Sequence, residues 1–384
     1  MKKNINIAIV GAGLAGLSCA KQLEENTNFN ITIFEKDSRI GGRIKTDFID
    51  GFTLDHGFQV LLPRYPEVKR CIDLKKIELY PFPAGAKIDG NYIGDPLRDL
   101  YSLIPTIASG VGTIKDKLLI LKLRFEDSAP KTQTAHEYLK DYGFSEEMIS
   151  KFFVPFFAGV FLNKNLENSA SFFLFLFKIF AQDYATLPKN GMKDLPKNIK
   201  DQLTRTKIFL NTEIKIKNKS TILINSDETK EYDVIVKATP EDVDNFYEVT
   251  TDYFYTDIES WEKSRYSSSL NLYTKTQYIN HLAPVSIVNP NYAPKDKILF
   301  SVNALKEFNQ QLITDELGNL FPEVEFTFIK RYVIKRALPK LPTKHKGLEL
   351  DSLYRCGDYL SSPSINGALL SGKEAAKRII KKYA

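Results

Sequence analysis

Three glycines, Gly11, Gly13 and Gly16, stand in the run Gly11-Ala12-Gly13-Leu14-Ala15-Gly16 directly after an apolar stretch at 7–10. A carboxylate, Glu35, follows a second apolar stretch at 31–34. These types at this spacing describe a phosphate cradle. Gly11 permits the tight turn out of a strand, Gly13 lets a phosphate approach the backbone, and Gly16 lets helix and strand pack closely. A helix beginning at Leu14 and Ala15 offers its N-terminal N–H groups and positive dipole end to a pyrophosphate. Glu35, about twenty residues past the last glycine, is placed to accept hydrogen bonds from an adenosine ribose and to repel a 2′-phosphate. The residues therefore predict a βαβ unit that binds NAD or FAD, and they disfavour NADP.

The next residues bear on that choice: Lys36-Asp37-Ser38-Arg39-Ile40-Gly41-Gly42-Arg43. Gly41 and Gly42 give backbone freedom beside a pyrophosphate, and Arg43 supplies a fork-shaped cation to pair with it or to lie against a flavin. An NAD domain has no such need. Asp55-His56-Gly57-Phe58-Gln59 comes next, where Gly57 again lets backbone approach a flat ligand. Far along the chain stand Cys356-Gly357-Asp358 and then Ser364-Ile365-Asn366-Gly367-Ala368. Ser364 is a good N-cap for a helix that would present unpaired N–H groups and a positive dipole end at its start.

In this order the segments resemble the FAD-dependent family that includes flavin amine oxidases, protoporphyrinogen oxidases and phytoene desaturases, over the whole chain. The resemblance implies a Rossmann-type (GR2-like) α/β FAD-binding domain interleaved with a mixed α+β substrate domain. It further implies noncovalent FAD held by Gly11, Gly13, Leu14, Ala15, Gly16, Glu35, Lys36, Gly41, Gly42, Arg43, Gly57, Phe58, Ile214, Ala238, Gly357, Asp358, Ser364, Ile365 and Ala368. Asp358 would bind the ribityl and phosphate portion, and the strand 208–214 would present its backbone to adenine. Gly191-Met192-Lys193-Asp194-Leu195-Pro196 and the strand 233–240 are further landmarks of the family. The middle, Phe153-Val154-Pro155-Phe156-Phe157-Ala158-Gly159-Val160-Phe161-Leu162, is most similar to its less characterised phytoene-dehydrogenase-like NAD(P)/FAD oxidoreductase branch.

The elements that position these residues follow from length and pattern. A chain of 384 residues exceeds one typical core, so two domains are expected. Dinucleotide-binding signals fall at the start, middle and end, which places the FAD domain at 1–70, 190–246 and 345–384 and the substrate domain at 71–189 and 247–344. Periodicity predicts helices over 113–125 and 134–157 and strands over 267–276 and 297–303, giving a mixed sheet with helices over one face. The basic start, residues 1–4, leads into the first strand and not into a signal peptide, as the glycines and Glu35 show.

Composition excludes several functions. Net charge is +6, with basic residues dispersed among acidic neighbours, so no nucleic-acid partner is expected. Cys19, Cys71 and Cys356 are odd in number and far apart, which fits a reducing, cytoplasmic compartment and buried packing, and gives neither a zinc pattern nor a disulfide frame. No apolar run reaches about eighteen residues. The basic helix Lys115-Asp116-Lys117-Leu118-Leu119-Ile120-Leu121-Lys122-Leu123-Arg124 is either an ordinary surface helix or a peripheral contact with a membrane.

Phenylalanines crowd one region: Phe152, Phe153, Phe156, Phe157 and Phe161, then Phe172, Phe173, Phe175, Phe177 and Phe180. They are either core or the wall of a tunnel for an apolar substrate. A hydride acceptor such as flavin N5 needs orientation and exclusion of water more than a side-chain base. The candidates for a catalytic role are His56, beside the Gly57 segment, whose other and favoured reading is structural or flavin-adjacent; Gln59, which the resemblance places facing the flavin, where it would touch substrate; and Lys275, which reads first as a solvated strand lysine and otherwise as the counterpart of a lysine that holds a water in the family's amine oxidases. Leu338-Pro339-Lys340-Leu341-Pro342-Thr343-Lys344-His345 offers neither the aromatic pair nor the cysteine tether common in amine oxidases. The leading reading is a dehydrogenase or desaturase acting on a polyene, isoprenoid or porphyrinogen-like compound. The alternatives are a flavin amine oxidase and a non-redox, flavin-dependent isomerase. The electron acceptor is left open.

Overall fold

The computed structural model of the chain describes residues 5–95, 98, 106, 109–240, 245–264, 269–341 and 353–384. Residues 1–4, 267–268 and 342–345 of the segments named above lie outside them.

Consecutive apolar residues in Asn6–Val10 suit a parallel strand covered on both faces. Ile7 and Ile9 pack under the helices on one side, Ala8 and Val10 on the other. This strand is central in a parallel sheet ordered Tyr354–Arg355, Val234–Lys237, Asn6–Val10, Asn30–Phe34, Lys207–Phe209. The sheet thus gathers segments from the start, middle and end of the chain. Helix Leu14–Asn26 and the long helix Ile365–Tyr383 cover one face together, and Cys19, Cys71 and Cys356 are buried thiols of the core between them and the sheet.

The strand expected over 208–214 is two strands. Lys207–Phe209 ends the parallel sheet, Asn211 turns the chain at φ +53°, and Ile214–Ile216 joins an antiparallel sheet with Thr221–Ile224 and Glu228–Glu231.

A second sheet has the order Thr327–Pro339, Phe246–Asp257, Lys297–Ala304, His281–Ala283, Leu270–Leu272, Gly85–Ile88, Asn91–Gly94 among the described residues. It is mixed, with one parallel pair between Leu270–Leu272 and Gly85–Ile88. One face carries Phe254, Phe300 and Val302 against Trp261, Ile313, Leu317 and Phe321. The other face is mixed, with Tyr253, Ala283, Leu299 and Tyr332 packed against Phe52 and Leu54, and it turns toward residues 47–58, with Tyr332 OH donating to Asp47 at 2.8 Å and Tyr253 OH to the Asp55 carbonyl at 2.9 Å. The strand expected over 267–276 is only Leu270–Leu272 in the described part. Thr274 N–H turns to donate to Asp89 at 2.9 Å, and Lys275 follows in an exposed bend.

Two helical expectations change as well. Ile114–Leu123 forms as expected, with Thr113 and Asp116 completing a reciprocal cap. The helix over 134–157 does not run through: Ala135–Tyr142 stops where Gly143 adopts φ +100°, Ser145 caps a new turn, and Val154–Phe161 resumes after a wide π turn. Phe153, Phe157, Phe161, Phe173 and Phe177 are buried and close on one another, for example Phe157 on Phe173 at 4.8 Å. They are core. Phe152, Phe156, Phe172, Phe175 and Phe180 are half-buried around them, and Phe152 and Phe156 reach the second sheet at Ile88 and Leu272.

Candidate functional site

Gly11 turns out of the first strand at φ +107°, its N–H held by Phe34 O at 2.7 Å. A Cβ on Gly16 would lie 2.1 Å from the Gly11 carbonyl oxygen and 3.3 Å from Ala238 Cβ, so only glycine lets the helix start this close to the sheet. Gly13 differs. Its φ is −72°, and a Cβ there would meet nothing nearer than Gly42 Cα at 3.9 Å. Protein sterics do not demand glycine at 13, whereas an approaching phosphate does. The helix begins at Gly13 with no side-chain cap, so the first-turn N–H groups, those of Leu14 and Ala15 included, have no intrahelical acceptor.

The second glycine pair closes over the first. Gly41 N–H donates to Ala12 O at 2.9 Å, and Gly41 and Gly42 hold φ +115° and +61°. Glu35 is buried. Its Oε2 accepts Ala12 N–H at 2.7 Å and its Oε1 accepts Asp37 N–H at 3.0 Å, leaving lone pairs on both oxygens.

Arg43 and Asp358 meet. Nη2 lies 2.5 Å from Asp358 Oδ1, and Nη1 donates to Ala337 O at 2.8 Å. Gly357 N–H donates to Ser371 Oγ, and Ser364 Oγ accepts Gly367 N–H at 3.0 Å, capping the helix whose first turn carries Ile365 and Ala368. Gln59 Nε2 donates to the carbonyls of Arg43 and His56 at 3.1 and 3.0 Å, while its Oε1 is buried with no partner among the described residues. Gly57 sits at φ +91°, where a Cβ would touch Ile334. One cradle glycine, Gly13, that the protein's own packing does not require, and a buried acceptor on Gln59 with no donor among the described residues, both fit FAD.

His56 is engaged elsewhere. Its Nε2 donates to Asp47 Oδ2 at 2.8 Å, its ring lies 4.3 Å from that of Tyr332, and Arg39 also pairs with Asp47 at 2.7 Å. Burial opposes ionisation of Asp47, yet hydrogen bonds from Arg39, His56 and Tyr332 hold its carboxyl at about 2. Burial pulls the His56 pKa down against the pull of Asp47. This network fastens the Gly57 segment to the second sheet. Asp55 is a different case: burial pushes it up to about 6, although Thr46, the Met192 N–H and Tyr292 all donate to it.

Three predicted residues stand apart from this cluster. Lys36 is exposed. Ile214 packs beneath the parallel sheet with Ala8, Val10 and Phe34, tied to Glu35 through the Thr212 N–H. Lys275 lies in its exposed bend, away from any strand face. The sequence reading missed Arg39, Asp47 and Tyr332, and also a buried polar row, Thr251, Asn303, Ser301 and His281, beside Gly57 and Phe58. Its one available signal was a lone histidine in an apolar strand.

Comparison with known proteins agrees with the geometry. Residues 14–280 match the family model described as flavin containing amine oxidoreductase. Protoporphyrinogen oxidase 2 of Arabidopsis thaliana is 29% identical over 164 residues, 40% of this chain and 32% of that protein. A 4,4'-diapophytoene desaturase of Staphylococcus haemolyticus is 29% identical over 150 residues, 38% of this chain and 27% of that protein. The matched stretches thus span about a third or less of these relatives' length. The crystal structure of an oxidoreductase from Methanosarcina mazei superposes with a TM-score of 0.71 at 16% identity, over 98% of this chain and 100% of that one, which shows a shared fold.

Proposed function

The chain belongs to the flavin-containing amine oxidoreductase family, and from that premise we propose that it is an FAD-dependent oxidoreductase of the dehydrogenase or desaturase type. Its substrate is a largely apolar compound such as a polyene, isoprenoid or porphyrinogen-like ring. The observation that carries this reading is the closed glycine cradle at 11–16 and 41–42 leading to the Arg43–Asp358 pair. FAD, when bound, supplies the atom that takes up a hydride. The chain's own residues do the rest. The first-turn N–H groups after Gly13 hold the pyrophosphate, Glu35 receives the ribose hydroxyls, and Gln59 Oε1 accepts a hydrogen bond from the flavin side. The half-buried aromatics Phe152 and Phe156 pack on Ile88 and Leu272 and keep water from that part of the second sheet.

Under this reading 1–70, 190–246 and 345–384 form the FAD domain, and 71–189 and 247–344 the substrate domain. Lys275 in its exposed bend counts against amine oxidation. No helix among the described residues is long and apolar enough to cross a membrane. Helix Ile114–Leu123 nevertheless exposes Ile114, Leu118 and Leu121, with Phe125 just beyond, among Lys115, Lys117 and Lys122, a pattern that favours peripheral contact with an anionic bilayer.

The test is anaerobic mixing of the flavin-loaded protein with a porphyrinogen, an acyclic polyene and a diamine, following the flavin band near 450 nm. Bleaching by either apolar compound supports the reading. Bleaching by the amine alone overturns it.

A further inference from the structure

On the face of the second sheet that turns toward residues 47–58, a buried polar row holds a ring nitrogen, His281 Nε2, with no partner among the described residues. Strand register places His281 beside Asn303 and Asn303 beside Thr251, whose Oγ1 lies 3.9 Å from where a Cβ on Gly57 would stand. The His281 ring lies 5.0 Å from that of Phe58, and a Cβ on Gly159 would come within 3.1 Å of its Nδ1. His281 therefore stands between the Gly57 segment and the helix Val154–Phe161. Asn280 Nδ2 donates to His281 Nδ1 at 3.0 Å, which leaves the ring proton on Nε2. That N–H is buried with no acceptor among the described residues. Burial lowers the imidazole pKa to about 4, so the ring is neutral near pH 7.

A buried donor without an acceptor is costly, and native structures keep one where a ligand or an ordered water completes it. We propose that His281 Nε2–H holds a neutral oxygen of the substrate, a carbonyl or hydroxyl, beside Gly57 and Phe58. The substrate is then an apolar compound bearing such an oxygen and not a bare hydrocarbon. A carboxylate fits poorly, because a neutral ring cannot offset the burial of a charge. This assignment rests on the oxidoreductase reading above and narrows it.

The flavin-loaded protein, with its 4 histidines labelled with nitrogen-15, is titrated with 2-acetylnaphthalene and 2-ethylnaphthalene, which match in shape and differ by the carbonyl. The flavin band reports affinity, and the Nε2 resonance of His281 reports contact. The ketone is expected to bind about tenfold more tightly, the worth of one net hydrogen bond, and to move the resonance. His281→Phe should bring the two ligands to parity without weakening the hydrocarbon, and His281→Gln should restore part of the preference. Equal affinities in the unaltered protein, no binding of the ketone, a resonance that does not move because water already occupies the N–H, or His281→Phe weakening both ligands alike would each overturn it. A protein that takes up no flavin fails the oxidoreductase reading instead, and the resonance titrated in that protein then decides for or against His281 separately.

Discussion

Arg43 Nη2 stands 2.5 Å from Asp358 Oδ1, an ion pair across 315 positions that joins the loop after Glu35 to the turn before the last helix. Asp358 is 3% exposed, and its charge is matched by this guanidinium, whose side chain is 36% exposed. Breaking a buried pair by removing one partner leaves an uncompensated charge. Arg43→Met should therefore destabilise the flavin-free protein by about 2 kcal/mol, below the full buried-pair cost because the arginine is partly solvated. Urea denaturation checks this, and adding Asp358→Asn should recover most of the loss.

Gly13 and Gly16 separate cofactor from fold. Gly13→Ala meets nothing nearer than an ordinary contact with Gly42 Cα at 3.9 Å and should fold as before, while weakening FAD by about tenfold or more, since a steric clash costs on the order of 1–3 kcal/mol. Gly16→Ala drives a methyl into the Gly11 carbonyl and should prevent folding. Circular dichroism and flavin fluorescence of the two variants make the comparison.

Asp55 sets a pH dependence. Its pKa rises from 3.8 unfolded to about 6 folded, so the folded state binds its proton more tightly. Its contribution is fully present below pH 3.8 and is lost as pH climbs through 6, about 3 kcal/mol by pH 7. Asp55→Asn should flatten this part of the stability profile between pH 4 and 7. An Asp55→Asn profile parallel to that of the parent would refute the assignment.

The aromatic region divides. Phe157 is 1% exposed and packed edge-on against Phe173, so Phe157→Ala should cost about 3–5 kcal/mol. Half-buried Phe156 should cost less when truncated, while altering ligand affinity. Thermal midpoints and ligand titration distinguish the two.

The exposed apolar face of Ile114–Leu123 predicts sedimentation with anionic vesicles at low salt. The double change Ile114→Asp with Leu118→Asp should abolish this, and raising the salt concentration should weaken it in the parent.

Residues whose identity is dictated by close approach were legible in the sequence. Gly11, Gly16, Gly41 and Glu35 announce a cradle because few other residues serve there, and Ser364 announced its cap. Positions governed by local dihedrals were harder to read. Asn211 at φ +53° splits the strand over 208–214, and Gly143 at φ +100° ends a helix whose hydrophobic period continues past it. Periodicity marks a buried face without saying what buries it, so Phe157 and Phe156 looked alike. His281 stayed hidden because its meaning depends on Phe58 and Asn303, neighbours that only the folded sheets bring together.

The most direct test of the central claim is the visible spectrum of the purified full chain before and after denaturation. The account predicts a flavin spectrum, with about one FAD per chain released unmodified on denaturation. A colourless protein that takes up no FAD on reconstitution would contradict it.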